Sequence, residues 1–268
     1  MTATLAAALG QGNPQPAPAA EEAARTILAK TAEALGGAAA LARVKSLRAE
    51  GHTTRAIGPI RMAAGVELVL ERTGRYVRRE SIRLGGMAAQ TVTGFDGPRF
   101  IQSSSVRQSA ALTVPAAFGA AAAAGLRQEL TLFLTGFLGE AFDGTALRAT
   151  SAGTAESADG RADAVRLLMP NGIEATLFVD SSTGLPLMIS WRGGDPSAAL
   201  TVGQAPAGLT AGQVGTAEHR FHFSDYRPVG DVRWPFLVRH SVDGRTIEEL
   251  RFDRFVLNTA INADEFQP

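Results

Sequence analysis

The chain has no cysteine among its 268 residues. This absence excludes disulfides, thiolate metal sites, cysteine nucleophiles and a lipid-modified cysteine. The 26 basic residues are matched by 26 acidic ones, so the formal net charge is zero. A protein that neutralises nucleic-acid phosphates is expected to be basic, as is one held on a membrane by a polybasic patch. We therefore expect no nucleic-acid partner.

Long hydrophobic runs and catalytic motifs are also missing. No apolar stretch approaches the roughly 20 residues that a membrane-spanning helix needs. The nearest, Val114 to Leu126, is mostly alanine and contains Pro115. The chain lacks the G-x-S-x-G elbow, the H-E-x-x-H motif, the phosphate-binding loop and the dinucleotide fingerprint. We accordingly expect no enzyme activity, no catalytic residue and no cofactor.

The N-terminal segment, residues 1–20, consists mostly of small and apolar residues up to Leu9 and is then rich in proline. They lack the basic region that begins a secretory signal, yet resemble the end of one. We interpret them as a disordered leader or the remnant of a signal peptide, and residues 21–268 as one domain.

Two helical units are indicated. Apolar residues recur on one stripe between Glu21 and Leu35, where Gly36 is expected to cap the helix, and a short second helix follows over Ala38 to Val44. A longer helical period runs through Ala120 to Phe142. Its apolar face is wider than packing on one side requires, and we expect it to cover something apolar.

Strands account for most of the rest. Between Ile60 and Glu71 apolar and polar residues alternate, a period of two that is typical of an antiparallel strand with one face on a core. Turn sequences such as Asp-Gly-Pro and Asn-Gly separate similar segments. We predict an α+β, mainly β fold: one curved antiparallel sheet of about eleven strands, an unclosed β-barrel, with helices packed on its concave face. Two β-domains are the alternative.

The histidines and carboxylates form no motif. His219 and His222 lie three apart on a strand and so point to opposite faces, which argues against a shared metal. We expect all four histidines to be solvated or to lie at a rim, and no metal site. If the chain is a hydrolase, the pair to inspect is His240 with Asp225 or Asp253.

A curved sheet with a helix against its apolar concave face can open an apolar cavity. An acyl chain suits such a cavity, because it needs buried area and few polar contacts. The residues predicted to line it come from the alternating strand and the middle helix: Met62, Val66, Leu68, Leu130, Phe133, Leu134 and Phe137.

Four stretches together resemble the bacterial outer-membrane lipoprotein-sorting proteins, which are similar to the periplasmic carrier LolA and to the LolB-like half-barrels. They are "ILAKTAEALGGAAALARVKSLRAEGHT", "TGFDGPRF", "FVDSSTGLPLMISW" and the C-terminal "FSDYRPVGDVRWPFLVRHSVDGRTIEELRFDRFVLNTAINADEFQP". They are distributed from Ile27 to Pro268 and follow one another in the order of the family. The resemblance implies an unclosed barrel plugged by helices around a cavity for acyl chains, but identifies no binding residue.

These observations lead to three hypotheses of function. The first is a soluble, monomeric protein of the periplasm or cell envelope that binds an acyl chain, lipid or lipoprotein as carrier or chaperone, with transient contact to a membrane or membrane protein. In this hypothesis the middle helix shifts and the ligand chain enters. The second is a non-catalytic scaffold whose half-barrel is filled by its own side chains. The third is a hydrolase with an unrecognised site.

Overall fold

The computed structural model describes residues 17–57, 59–72, 74–84, 87–105, 127–134, 147–157, 160–169, 172–194 and 216–266. The predicted leader therefore lies outside the described residues up to position 16. The first helix already begins at Ala17, so it includes the last four residues assigned to that leader. None of the described helices combines the length and the apolar character that crossing a membrane would demand.

The described elements are three α-helices, twelve strands and a C-terminal 3₁₀ turn. The helices are α1 (Ala17–Ala34), α2 (Ala38–Arg43) and α3 (described over 127–134), and the 3₁₀ turn spans Ala263–Phe266. The strands are β1 (Ser46–Ile57), β2 (Ile60–Glu71), β3 (Arg75–Leu84), β4 (Met87–Asp96), β5 (Arg99–Ser104), β6 (Arg148–Ser157), β7 (Gly160–Leu168), β8 (Glu174–Asp180), β9 (Pro186–Gly194), β10 (Thr216–Val229), β11 (Val232–Val242) and β12 (Arg245–Leu257).

All twelve strands belong to one antiparallel sheet in the order β5-β4-β3-β2-β1-β12-β11-β10-β9-β8-β7-β6. Two runs of neighbouring strands meet where the first strand pairs with the last, and the sheet does not close on itself. The predicted fold class is confirmed. The strand absent from the prediction is β5, a six-residue strand directly after the Asp-Gly-Pro turn.

The two faces of the sheet carry different cores. One face, which we call the inner face, carries a large apolar cluster that reaches from Phe95 on β4 to Leu167 on β7 and includes residues of all three helices. A single cluster can join such distant strands because the sheet curves around the helices. On the outer face, Val69, Val77 and Phe266 belong to a small separate core beneath the 3₁₀ turn.

Gly36 brings the end of α1 against the β10–β11 hairpin. Both Gly36 and Gly37 have a positive φ, and Gly37 N–H donates to Ala32 O at 2.8 Å, a bond typical of a left-handed helix cap. The backbone N–H of Arg233 in turn donates to Leu35 O at 2.8 Å. A Cβ on Gly36 would lie 2.2 Å from the carbonyl oxygen of Asp231, so this approach requires glycine.

Gly36→Ala should therefore destabilise the fold more than Gly37→Ala. At Gly37 the nearest atom to an added Cβ is a flexible carboxylate oxygen of Glu33 at 3.3 Å. We expect Gly37→Ala to cost about 1–2 kcal/mol through its backbone conformation alone, and Gly36→Ala roughly 2–4 kcal/mol because a steric clash is added. Urea unfolding of both variants measures the difference. Equal losses would show that contact with Asp231 does not require the glycine.

Candidate functional site: a cavity with a charged end

Helix α3 lies against the inner face. Leu130, Leu132 and Leu134 are buried, and Phe133 packs edge-on against Phe221 and Phe223 of β10, with ring centroids 6.1 Å apart in both pairs. The apolar side chains of the helix are thus seated on the sheet, as the wide apolar stripe of its sequence predicts.

A cavity with a volume of about 70 Å³ lies between α3 and the strands around the β1–β12 junction. Its wall is mainly apolar, with three charged side chains at one end, Arg78, Glu129 and Glu248. The other lining residues are Leu47, Leu68, Leu70, Tyr76, Leu130, Phe133, Leu134, Phe221, Trp234, Leu250, Phe252 and Phe255.

Four of the seven residues predicted to line a cavity are on its wall: Leu68, Leu130, Phe133 and Leu134. Of the other three, Val66 is buried in the inner core, whereas Met62 is half-buried and pairs with Arg55 on the neighbouring strand, toward the charged end. Phe137 lies outside the described residues. That any of them touches a ligand stays a prediction.

The charged end is a network of two arginines and two glutamates. Arg78 donates to Glu248 at 2.5 Å and Arg55 donates to the same carboxylate at 2.7 Å. Arg55 also makes two hydrogen bonds to Glu80, at 2.6 and 2.9 Å, while the Thr53 hydroxyl donates to Glu248 at 2.8 Å. Both carboxylates are buried and fully engaged, as charges in an apolar interior must be.

This network controls the ionisation of its members. Burial alone would raise the pKa of Glu248, but the guanidinium groups of Arg78 and Arg55 overcome that effect and hold the pKa well below its ordinary value of 4.5. Burial raises the pKa of the nearby Tyr76 phenol to about 12. At neutral pH the network therefore contains carboxylates, guanidinium groups and a neutral phenol.

Next to the network, two histidines meet inside the core. His219 Nδ1 and His240 Nε2 are 3.0 Å apart, and His219 Nε2 lies 2.9 Å from the carbonyl oxygen of Gly194. Burial and the neighbouring His219 lower the pKa of His240 to about 4, so its ring is neutral at pH 7. Because the carbonyl can only accept, His219 carries its proton on Nε2 and accepts the His240 Nε2–H at Nδ1.

Glu129 extends from α3 toward this pair. One carboxylate oxygen and one nitrogen from each ring lie within 4.8 Å of one another. Burial, with a smaller effect from the charge of Glu248, raises the pKa of Glu129 to about 7. The inner face thus holds two imidazoles and a carboxyl group beside an apolar cavity.

The prediction that all four histidines are solvated or at a rim is wrong for His219 and His240, which are only 2% and 5% exposed. His219 lies two residues before Phe221 on β10 and therefore shares the inner face with Phe221 and Phe223. In the same way, His240 lies two residues after the inner-face Val238 on β11. That parity could have indicated burial before the structure was seen. His222 is on the other face, as predicted.

The carboxylates predicted to accompany His240 in a hydrolase do not meet it. Asp225 is bound by Arg227 at 2.6 Å on the surface, and Asp253 lies 3.1 Å from the exposed His52. Asp253 faces away because it directly follows the inner-face Phe252 on β12. Asp225 leaves the parity of Phe221 and Phe223 because its backbone is left-handed, with a φ of 56°. Glu80, Glu129 and Glu248, which the sequence did not single out, are carboxyl groups on that side.

Comparison with known proteins identifies the fold. Neither a protein-family model nor a curated protein matches the chain. A LolA superfamily protein from Nitrosomonas europaea superposes over 91% of this chain and 97% of its own, with a TM-score of 0.52 and 11% identity. The chain has the LolA fold. An outer membrane lipoprotein-sorting protein domain from Vibrio parahaemolyticus aligns over 92% and 97%, with a TM-score of 0.46 and 11% identity.

The LolA fold confirms, at the level of architecture, the resemblance read from the four sequence stretches. At 11% identity it shows the fold alone. What the cavity of this chain holds depends on its own residues.

Glu248→Gln should destabilise the protein by about 3 kcal/mol at pH 7, because it leaves Arg78 and Arg55 without a full counter-charge in a buried place. Since the pKa of Glu248 is lowered on folding, its contribution is present above about pH 4.5 and is lost as the pH falls toward the folded-state pKa. The difference in free energy of unfolding between wild type and variant should therefore shrink below about pH 4.5. Denaturant unfolding at several pH values measures it.

Glu249→Gln is the matched control. Glu249 is the next residue on β12, binds Arg239 and Arg251 on the other face, and should cost 1 kcal/mol or less as a surface pair. A Glu248→Gln variant as stable as this control at pH 7 would contradict the role assigned to the network.

Proposed function

We propose that the protein binds an acyl chain, lipid or lipoprotein between the inner face and α3, as a carrier or chaperone of the bacterial cell envelope. The observation that carries the proposal is the apolar cavity beneath α3. The fold that the chain shares with a LolA superfamily protein is consistent with it. A periplasmic location, a monomeric state, a non-catalytic role and transient contact with a membrane or membrane protein belong to the same proposal.

The size of the cavity makes ligand entry a gated step. Its volume of about 70 Å³ is roughly half of the ~150 Å³ that accommodates one benzene in an engineered protein cavity. For an acyl chain to bind, α3 must therefore move off the sheet. The hydrocarbon of the ligand then occupies the space that the side chains of α3 fill in the described structure. The described structure then corresponds to the closed, ligand-free form.

The energies of this exchange are of similar size. Exposing Leu130, Phe133 and Leu134 would cost about 1.5–3 kcal/mol each, or roughly 5–9 kcal/mol in all. Burying ten methylenes of an acyl chain would return about 8 kcal/mol at ~0.8 kcal/mol each. A near balance of this kind suits a carrier, which must release its ligand as well as bind it.

The charged end favours a ligand whose head group stays outside the cavity. Arg55 and Arg78 are both engaged by carboxylates. An anionic head group would have to displace Glu80 or Glu248 to reach them. The recognised part is accordingly the tail, and the affinity should depend on its length more than on its head group.

The scaffold hypothesis is the second candidate, and the same small volume supports it. If α3 never leaves the sheet, the half-barrel is filled by its own side chains. Ligand binding by the purified protein separates the two.

We expect native mass spectrometry of the full chain, purified from membrane-containing lysate, to show co-purified lipid, and a fluorescent fatty acid to bind at one per chain. Leu68→Trp should weaken that binding at least tenfold, because the indole fills the cavity from the strand side. Competition with unlabelled fatty acids of increasing length measures the dependence on the tail.

Ile60→Trp is the control for this variant, since Ile60 is on the same strand but 61% exposed. It should bind as wild type does. Circular dichroism of both variants establishes that they fold. Absence of co-purified lipid together with absence of fatty-acid binding to the wild type would overturn the carrier proposal and leave the scaffold.

A further inference from the structure

The group formed by Glu129, His219 and His240 has the composition of a metal centre. Two imidazoles and one carboxylate are a frequent ligand set for zinc, and the three ligand atoms lie within 4.8 Å of one another. The side chains come from three elements, α3, β10 and β11, so the fold rather than one sequence motif brings them together.

The distance between the two imidazole nitrogens is close to that of two ligands of one ion. Zinc binds imidazole nitrogen at about 2.0–2.1 Å, so two such nitrogens in a tetrahedral site are roughly 3.3 Å apart. His219 Nδ1 and His240 Nε2 are 3.0 Å apart in the hydrogen-bonded pair. The ring centroids are 5.3 Å apart, so the two nitrogens now point almost directly at each other. One shared ion requires an opening of about 0.3 Å, transfer of the His240 proton from Nε2 to Nδ1, and a tilt of both rings that makes their lone pairs converge.

The surroundings already hold His219 as a metal site would. Its Nε2–H donates to the carbonyl of Gly194 at 2.9 Å, so Nδ1, which accepts the His240 Nε2–H in the described structure, is the nitrogen that would bind a metal. Such a bond from the second nitrogen to a backbone carbonyl commonly orients metal-binding histidines. Trp191 also stacks on both rings, with centroids at 5.0 and 5.7 Å.

We propose that Glu129, His219 and His240 bind one divalent first-row transition metal, with Zn²⁺ as the best fit. Histidine nitrogen favours these metals over Mg²⁺ and Ca²⁺, which take oxygen ligands. Three protein ligands leave one tetrahedral position for water or another small group. Glu129 is on the cavity wall, so the site adjoins the cavity.

Calorimetric titration of the chelator-stripped full chain with ZnCl₂ tests the proposal. We expect one Zn²⁺ per wild-type chain. Glu129→Gln and His240→Gln should each weaken binding by about 100-fold or more, since even changes to residues that only support a ligand cost 10–100-fold. CoCl₂ in place of zinc should give the visible absorption of a tetrahedral nitrogen and oxygen site, and lose it in both variants.

His222→Gln and His52→Gln are the controls, since each removes an imidazole that lies outside this group. Both should keep the stoichiometry and affinity of the wild type. Melting curves recorded in chelator show whether each variant folds. If His240→Gln does not fold, Glu129→Gln still tests the proposal, because it alters α3 rather than the sheet.

No zinc binding by the wild type would overturn the proposal and leave a hydrogen-bonded histidine pair. Unchanged affinity in both Glu129→Gln and His240→Gln would overturn it as well, because the metal would then be elsewhere. The experiment contains no lipid, so its outcome is independent of the carrier proposal.

Discussion

The pairing of β1 with β12 is the constraint on which the rest of the structure depends. It joins five strands from the first part of the chain to seven from the second in one sheet. A bulge between Glu50 and Gly51 bends the pair, and a Cβ on Gly51 would lie 2.1 Å from the Arg251 carbonyl oxygen. The close strand approach is therefore open to glycine alone.

The charged network depends directly on that pairing. Arg55 and Arg78 lie on one side of the junction and Glu248 on the other, so the ion pairs form only when the two parts of the sheet are in register. Buried ion pairs add little net stability, because desolvation offsets their attraction. Here they disfavour a slipped register, which would leave charges unpaired in an apolar interior.

Local patterns predicted the elements well where one face alone is buried. In β2 the alternation of Ala64, Val66, Leu68 and Leu70 identified both the strand and its inner face. It missed the burial of Val69 on the other face, because the covering residue, Phe266, is almost 200 positions away. β5 was missed for another reason: it has only six residues, too few for a period to stand out.

The residues of the candidate site also fall into those that the sequence could predict and those that it could not. Leu68, Leu130, Phe133 and Leu134 could be placed on the cavity wall because each belongs to an apolar stripe of its own element. The meeting of Glu129 with His219 and His240 could not, because it depends on how three elements pack. Their sequence separations of 90 and 21 residues match no motif. Only the parity of the two histidines on their strands was available in advance.

The position of β12 has a consequence for biosynthesis. The last of the twelve strands in chain order lies inside the sheet, beside the first, and Phe266, which closes the outer core, comes still later in the chain. Until β12 has emerged from the ribosome, β1 is an edge strand with unpaired backbone groups, the kind of edge that promotes aggregation. This edge is therefore covered only after the other strands have been made, and the nascent chain before that point is where a folding factor would have the most to protect.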